Sequence, residues 1–160
     1  MKKFNLRQLT LAGVIAGLYA AITWAFGTLS YGPVQVRPAE ALTVLPLLFI
    51  EAVPGLFVGC ILANLISLYG IYDIILGSLI TLAAAILTRL FKKIYLGVIP
   101  PIILNAVFLP FIFMLSGDEM LYWTNFTSIL ITQTIWVIAF GIPFYFSAKK
   151  LKPTLYKNLE

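Results

Sequence analysis

Histidine is absent from the 160 residues and cysteine occurs once. Without histidine the commonest general base and the commonest metal ligand are missing, which removes most hydrolytic and zinc chemistry from consideration. Cys60, set between Gly59 and Ile61 in an apolar stretch, can form no internal disulfide and reads as packing. Charge is scarce too, at 11% of residues, where soluble domains carry about 25%. The phosphate-loop pattern G-x-x-x-x-G-K-[ST] does not occur, so ATP hydrolysis by that route is excluded. No nucleophile stands beside a paired base, and the embedded His/Asp/Glu relay of ion-coupled carriers is missing, so active transport would need energy from elsewhere. Neither an internal repeat, an inverted-repeat signature nor a low-complexity run is present.

What remains is apolar, at 61% of the chain. No soluble core of this size hides that much apolar surface, so the composition predicts an all-α polytopic membrane protein, one transmembrane domain over residues 1–160. Six apolar segments can be read, over 9–29, 39–50, 54–68, 74–90, 94–115 and 122–146. The second and third are short, reaching roughly 18 to 23 Å as α-helices against a hydrocarbon core of about 30 Å. A re-entrant hairpin is the alternative, but Glu51 at their junction would then lie at membrane depth, at a cost of about 2.5–3.5 kcal/mol. Two short spans meeting at a membrane surface are therefore expected. Lys2, Lys3 and Arg7 before the first segment resemble a signal peptide, yet the segment is too long and lacks a small-residue cleavage site, so an uncleaved first helix is expected.

The net charge is +5, but the basic residues sit at segment ends and form no stripe interleaved with aromatics, which argues against nucleic acid as a partner. They orient the chain instead. Ten of the 11 fall in the N-terminal tail, in the fourth connection (Arg89, Lys92, Lys93) and in the C-terminal tail (Lys149, Lys150, Lys152, Lys157). An even number of spans puts all three on one side, which the positive-inside rule makes cytoplasmic, with both termini inside. Four of the six acids, including Asp118 and Glu119, then lie in the outer connections.

Polarity is concentrated in one stretch, Val34-Gln-Val-Arg-Pro-Ala-Glu40. The residue before a proline favours extended backbone, so 34–37 should be extended, with Gln35 and Arg37 pointing the same way, Pro38 opening the second helix and Glu40 in its first turn. Two readings stand side by side: Glu40 favouring a helix N-terminus with Arg37 paired to it at the membrane rim, or a ligand clasp formed by Gln35, Arg37 and Glu40. Asn64, Asp73, Asn105 and Gln133 are polar side chains that lipid would penalise, so each should face the bundle interior, for helix-to-helix bonding or for a shared solute cavity. Trp24, Trp123, Trp136, Tyr19, Tyr69 and Tyr72 offer stacking faces or interfacial anchors. In the first helix Ala12, Ala16 and Ala20 recur at four-residue spacing with Gly13 and Gly17 alongside, a flat face for internal packing or for another subunit.

The stretch Val34 to Pro46, with Ala63-Asn64, Asp73 followed by Gly77, and Asn105, resembles the substrate-binding S components of energy-coupling factor (ECF) transporters, in the queuosine-precursor (QueT) branch. That resemblance implies a six-helix subunit without an ATPase site or bound cofactor of its own. It would capture a 7-deazaguanine outside, associate with a transmembrane scaffold subunit and two cytoplasmic ATPases that use ATP, and topple to release the solute inside. It further implies a cell-membrane location, Gln35, Arg37, Glu40, Asn64, Asp73 and Asn105 as binding residues, Ala12-x-x-x-Ala16 as the docking motif, and a loop at Pro33 that closes over the solute. A stand-alone carrier and an S component for a different vitamin are the alternatives.

Overall fold

The computed structural model describes residues 5–31, 34–117 and 121–156, and among these there is helix and no strand. Lys2, Lys3, Pro33, Asp118, Glu119 and Lys157 lie outside the described residues. Four helices are long and apolar enough to cross a membrane: α1 (Leu6–Ala25), α3 (Gly70–Leu90), α4 (Ile94–Leu115) and α5 (Tyr122–Thr154). Asn5 caps α1 by accepting from the backbone N–H of Gln8, whose side chain returns a bond to the backbone of Asn5. The helix stops four residues short of the apolar segment's end because Gly27 adopts a left-handed φ of +50° and turns the chain.

The two short segments fold differently from each other. Residues Ala52–Asn64 form an α-helix, α2, of 13 residues. Residues Pro38–Leu47 form a 3-10 helix instead of the expected α-helix. At about 2.0 Å rise per residue this tighter coil reaches roughly 20 Å, as far as α2 does with more residues. Pro46 inside it has no N–H to offer an α ladder, which removes part of the advantage of α geometry. At the junction between the two short segments the acid is covered by protein. Glu51 is fully buried, and the Nε2 of Gln8 donates to its Oε1 at 2.8 Å.

That bond, together with the donation from Arg89 Nη1 to the carbonyl of Pro46 at 3.0 Å, brings the start of α1, the 47–51 junction and the end of α3 to one end of the bundle. Ala148 of α5 packs into the same cluster as Leu48 and Phe49. Arg7, Arg89, Lys149 and Lys150 are thereby gathered at that end by sequence adjacency.

Large apolar side chains cover the exterior: Leu6, Leu68, Tyr95, Leu121 and Trp123 are all at least 70% exposed. Such a surface suits lipid and no aqueous solvent. Inside, α1 and α2 approach closely. A Cβ added to Gly59 would lie 2.9 Å from the carbonyl oxygen of Ala16 and 3.0 Å from its Cα, and one added to Gly55 would lie 2.8 Å from the carbonyl oxygen of Ala12. Ala12, Ala16 and Ala20 are buried, and Ala12 and Ala16 pack against the glycines of α2. Gly13, Gly17 and Ala21, one position on, are exposed on the outside of α1.

Candidate functional site

The polar cluster lies toward the other end, where the chain between α1 and the 3-10 helix folds inward. Val36 N–H donates to the carbonyl of Leu29 at 2.9 Å, and Ser30 Oγ bridges the carbonyls of Thr23 and Val36. These bonds fix the segment before Pro38. It is not uniformly extended as the X-Pro rule alone suggests, because Gln35 sits at a left-handed φ of 44°, an uncommon conformation for a side-chain-bearing residue. Backbone strain of this kind, about 1–3 kcal/mol, persists where surrounding contacts over-determine it and is concentrated at binding sites. The side chains of Gln35 and Arg37 both end up buried, at 1% and 3% exposure.

Glu40, in the first turn of the 3-10 helix, is buried and gathers donors from three other helices. Tyr19 OH of α1 donates to its Oε1 at 2.5 Å, and Asn105 Nδ2 of α4 donates to its Oε2 at 3.2 Å. The amide of Gln133 in α5 reaches the same carboxylate. Arg37 does not close a rim pair with Glu40. Its Nη2 donates to Asn64 Oδ1 of α2 at 2.5 Å, and its guanidinium carbon lies 5.7 Å from the ring centroid of Tyr31, a cation–π contact. Tyr31 OH in turn donates to the carbonyl of Ala63. Asn64 carries the network onward, its Nδ2 donating to the backbone carbonyl of Asp73 at 2.8 Å.

Asp73 is fully buried at the start of a π-helical turn, Asp73–Gly77, in α3, a widened geometry that recurs at functional sites. Ser67 Oγ donates to its Oδ2 at 2.6 Å. Gly77 packs closely beside it, since an added Cβ would displace Asp73 Oδ1 and come within 3.1 Å of Asn64 Nδ2. Gly77→Ala is therefore expected to displace the Asp73 carboxylate and weaken ligand binding by roughly tenfold or more, at a stability cost of about 1–3 kcal/mol. Titration and thermal melting of the purified variant check both, and unchanged affinity would show that the position of Asp73 is immaterial to the site.

Arg37, Asn64 and Asp73 are thus joined in one chain of buried hydrogen bonds and Glu40 and Asn105 in another, while Gln35 is buried with no hydrogen-bond partner for its side chain. Two further partners of Glu40, Tyr19 and Gln133, lie outside the motif that marks it. Tyr19 is one helical turn from Ala16 on the inner face of α1, and Gln133 is an isolated amide in an apolar helix, so only the tertiary fold brings them together. Several buried atoms are left without a partner: Nε2 and Oε1 of Gln35, Nε of Arg37, Oδ1 of Asp73 and Oε1 of Gln133. Each such group costs about 1–3 kcal/mol when unsatisfied, and both donors and acceptors are among them. That combination suits a polar, multiply hydrogen-bonding solute. The candidate stacking aromatics divide: Tyr69 stacks on Phe113 at 3.9 Å between centroids, Trp24 donates to the carbonyl of Ala63, and Trp123 faces outward.

No solved structure matches the chain significantly. A curated relative, the "Queuosine precursor transporter QueT" of Lactococcus lactis subsp. cremoris (strain MG1363), is 31% identical over 84 residues, 51% of this chain. The chain spans about half the length of that relative, 49% of it. The family model described as "QueT transporter" matches residues 9–150, which takes in α1, the inward-folded segment with Gln35 and Arg37, the 3-10 helix with Glu40, and the helices that supply Asn64, Asp73, Asn105 and Gln133. With its membrane-type helices, its buried polar site and a match that runs through both, the chain belongs to the QueT transporter family.

Proposed function

We propose that this chain is the membrane-embedded, solute-binding S component of an ECF-type importer, and that it captures a 7-deazaguanine precursor of queuosine. The observation that carries the reading is the buried Glu40 carboxylate, which accepts from Tyr19 and Asn105 in a chain whose buried Gln35, Arg37, Asp73 and Gln133 side chains retain unpartnered atoms. A guanine-like edge presents two adjacent donors and a carbonyl acceptor. Glu40 has acceptor capacity for about four hydrogen bonds, and Gln133, whose carbonyl oxygen is unpartnered, is the donor that such an edge would displace. Gln35 Nε2 and Arg37 Nε are free to donate to the ligand carbonyl.

The remaining expectations join this proposal. The end that gathers Arg7, Arg89, Lys149 and Lys150 is cytoplasmic in the cell membrane, both termini are inside, and the two short helices complete six crossings. Energy comes from a scaffold subunit with two ATPases, this chain binding no cofactor. The outward small-residue face of α1, Gly13, Gly17 and Ala21, continues the docking ridge proposed at Ala12, Ala16 and Ala20. Mass spectrometry of small molecules that co-purify with the detergent-solubilised protein tests the ligand. A guanine-like species is expected, and a vitamin of another class would overturn the assignment while leaving the architecture intact. Reconstitution of this chain alone in liposomes tests the energy source, because uptake without any ATPase would make it a stand-alone carrier.

A further inference from the structure

The polar region holds two acids and one base. Glu40 and Asp73 are 1% and 0% exposed, Arg37 is 3% exposed, and Asn64 connects Arg37 to the Asp73 backbone. Both oxygens of Glu40 accept hydrogen bonds, and Asp73 Oδ2 accepts one from Ser67. Each carboxyl group thus meets hydrogen-bond donors of the protein. With both ionised, the region carries one net negative charge in a low-dielectric interior, where an unbalanced charge is costly. Arg37 cannot balance both acids. Its Nη2 is committed to Asn64 and its face to Tyr31. Asp73 Oδ1 is left as a buried carboxylate oxygen without a partner.

We infer that the site is built for a planar heterocycle carrying a single positive charge, with Asp73 as the counter-ion for a protonated amine on the ligand. This rests on the 7-deazaguanine reading above and names the subclass within it. Glu40 meets the guanine-like edge, and Asp73 meets an amine substituent on the five-membered ring. A primary alkylamine is protonated at neutral pH, as lysine is with its pKa of about 10.4. A nitrile in the same place is neutral and has no donor. It would leave the Asp73 charge unbalanced.

The test is a pair of titrations of the purified full-length protein with 7-aminomethyl-7-deazaguanine and 7-cyano-7-deazaguanine, repeated on Asp73→Asn. The wild-type protein is expected to bind the amine roughly 30-fold or more tightly than the nitrile. Asp73→Asn preserves shape and can still accept from Ser67, so it should erase that preference by weakening the amine while leaving the nitrile within about threefold, and retained nitrile binding also reports that the variant is folded. Equal affinity of the wild-type protein for the two compounds overturns the counter-ion assignment and leaves the deazaguanine reading standing. Binding of neither compound sinks both.

Discussion

Glu40→Gln is expected to weaken binding of a 7-deazaguanine to the purified protein by at least about 30-fold, corresponding to the roughly 2–5 kcal/mol lost when one partner of a buried, hydrogen-bonded charged contact is removed. The substitution is nearly isosteric, so the packing around position 40 is kept. Its effect is chemical, because one acceptor oxygen becomes an NH2 group that faces a donor. Tyr19 and Asn105 now donate one to each oxygen, and a glutamine in any orientation sets its amide nitrogen against one of them or against the ligand edge. Arg37 would simultaneously lose one of the two negative charges near it. A calorimetric or tryptophan-fluorescence titration reads the change. Wild-type affinity in the variant would remove Glu40 from the binding site and leave it a structural hub between α1 and α4. Tyr19→Phe separates the two roles further, since it takes away one donor to the carboxylate without touching the ligand edge and should cost the titration far less than Glu40→Gln.

The sequence discloses Glu40 readily because an acid among apolar residues next to Arg-Pro is conspicuous. It discloses the company of Glu40 poorly. Tyr19, Asn105 and Gln133 come from three different helices separated by long stretches of chain, and hydrophobic periodicity carries no information about which helices face each other. The apolar segments are legible for a similar reason: length and hydropathy define a span, and the four long helices fall where they are read. The 3-10 form of Pro38–Leu47 is not legible, since α and 3-10 geometry share the same residue preferences and the choice is made by packing. The left-handed Gln35 is hidden too. Local rules before a proline favour extended backbone, and only the bonds from Leu29 and Ser30 to Val36 hold the segment in its observed turn. Glu51 is a further case: a lone acid marks the junction between the two short segments, but its partner Gln8, 43 positions earlier, is supplied by the tertiary fold.

The small-residue face of α1 supplies the other large effect, and the structure divides it into two faces that substitution can separate. Ala16→Leu puts three extra carbons where the Cα of Ala16 already lies 3.0 Å from the position of a Cβ on Gly59. Overpacking of a close helix crossing costs about 1–3 kcal/mol or more, so this variant should melt at a markedly lower temperature in detergent and lose solute binding along with uptake. Gly17→Leu behaves differently. An added Cβ there meets nothing within 4 Å, and leucine is favoured over glycine in a helix interior by about 1 kcal/mol. The variant should fold and bind the solute as the wild-type protein does. If another subunit closes on this outward face, the leucine holds the two backbones apart where close approach is needed in lipid, and ATP-driven uptake in cells that supply the partners should fall to background. Unimpaired uptake by Gly17→Leu would mean that the outward face of α1 meets only lipid, and that the alanine ridge serves α2 alone.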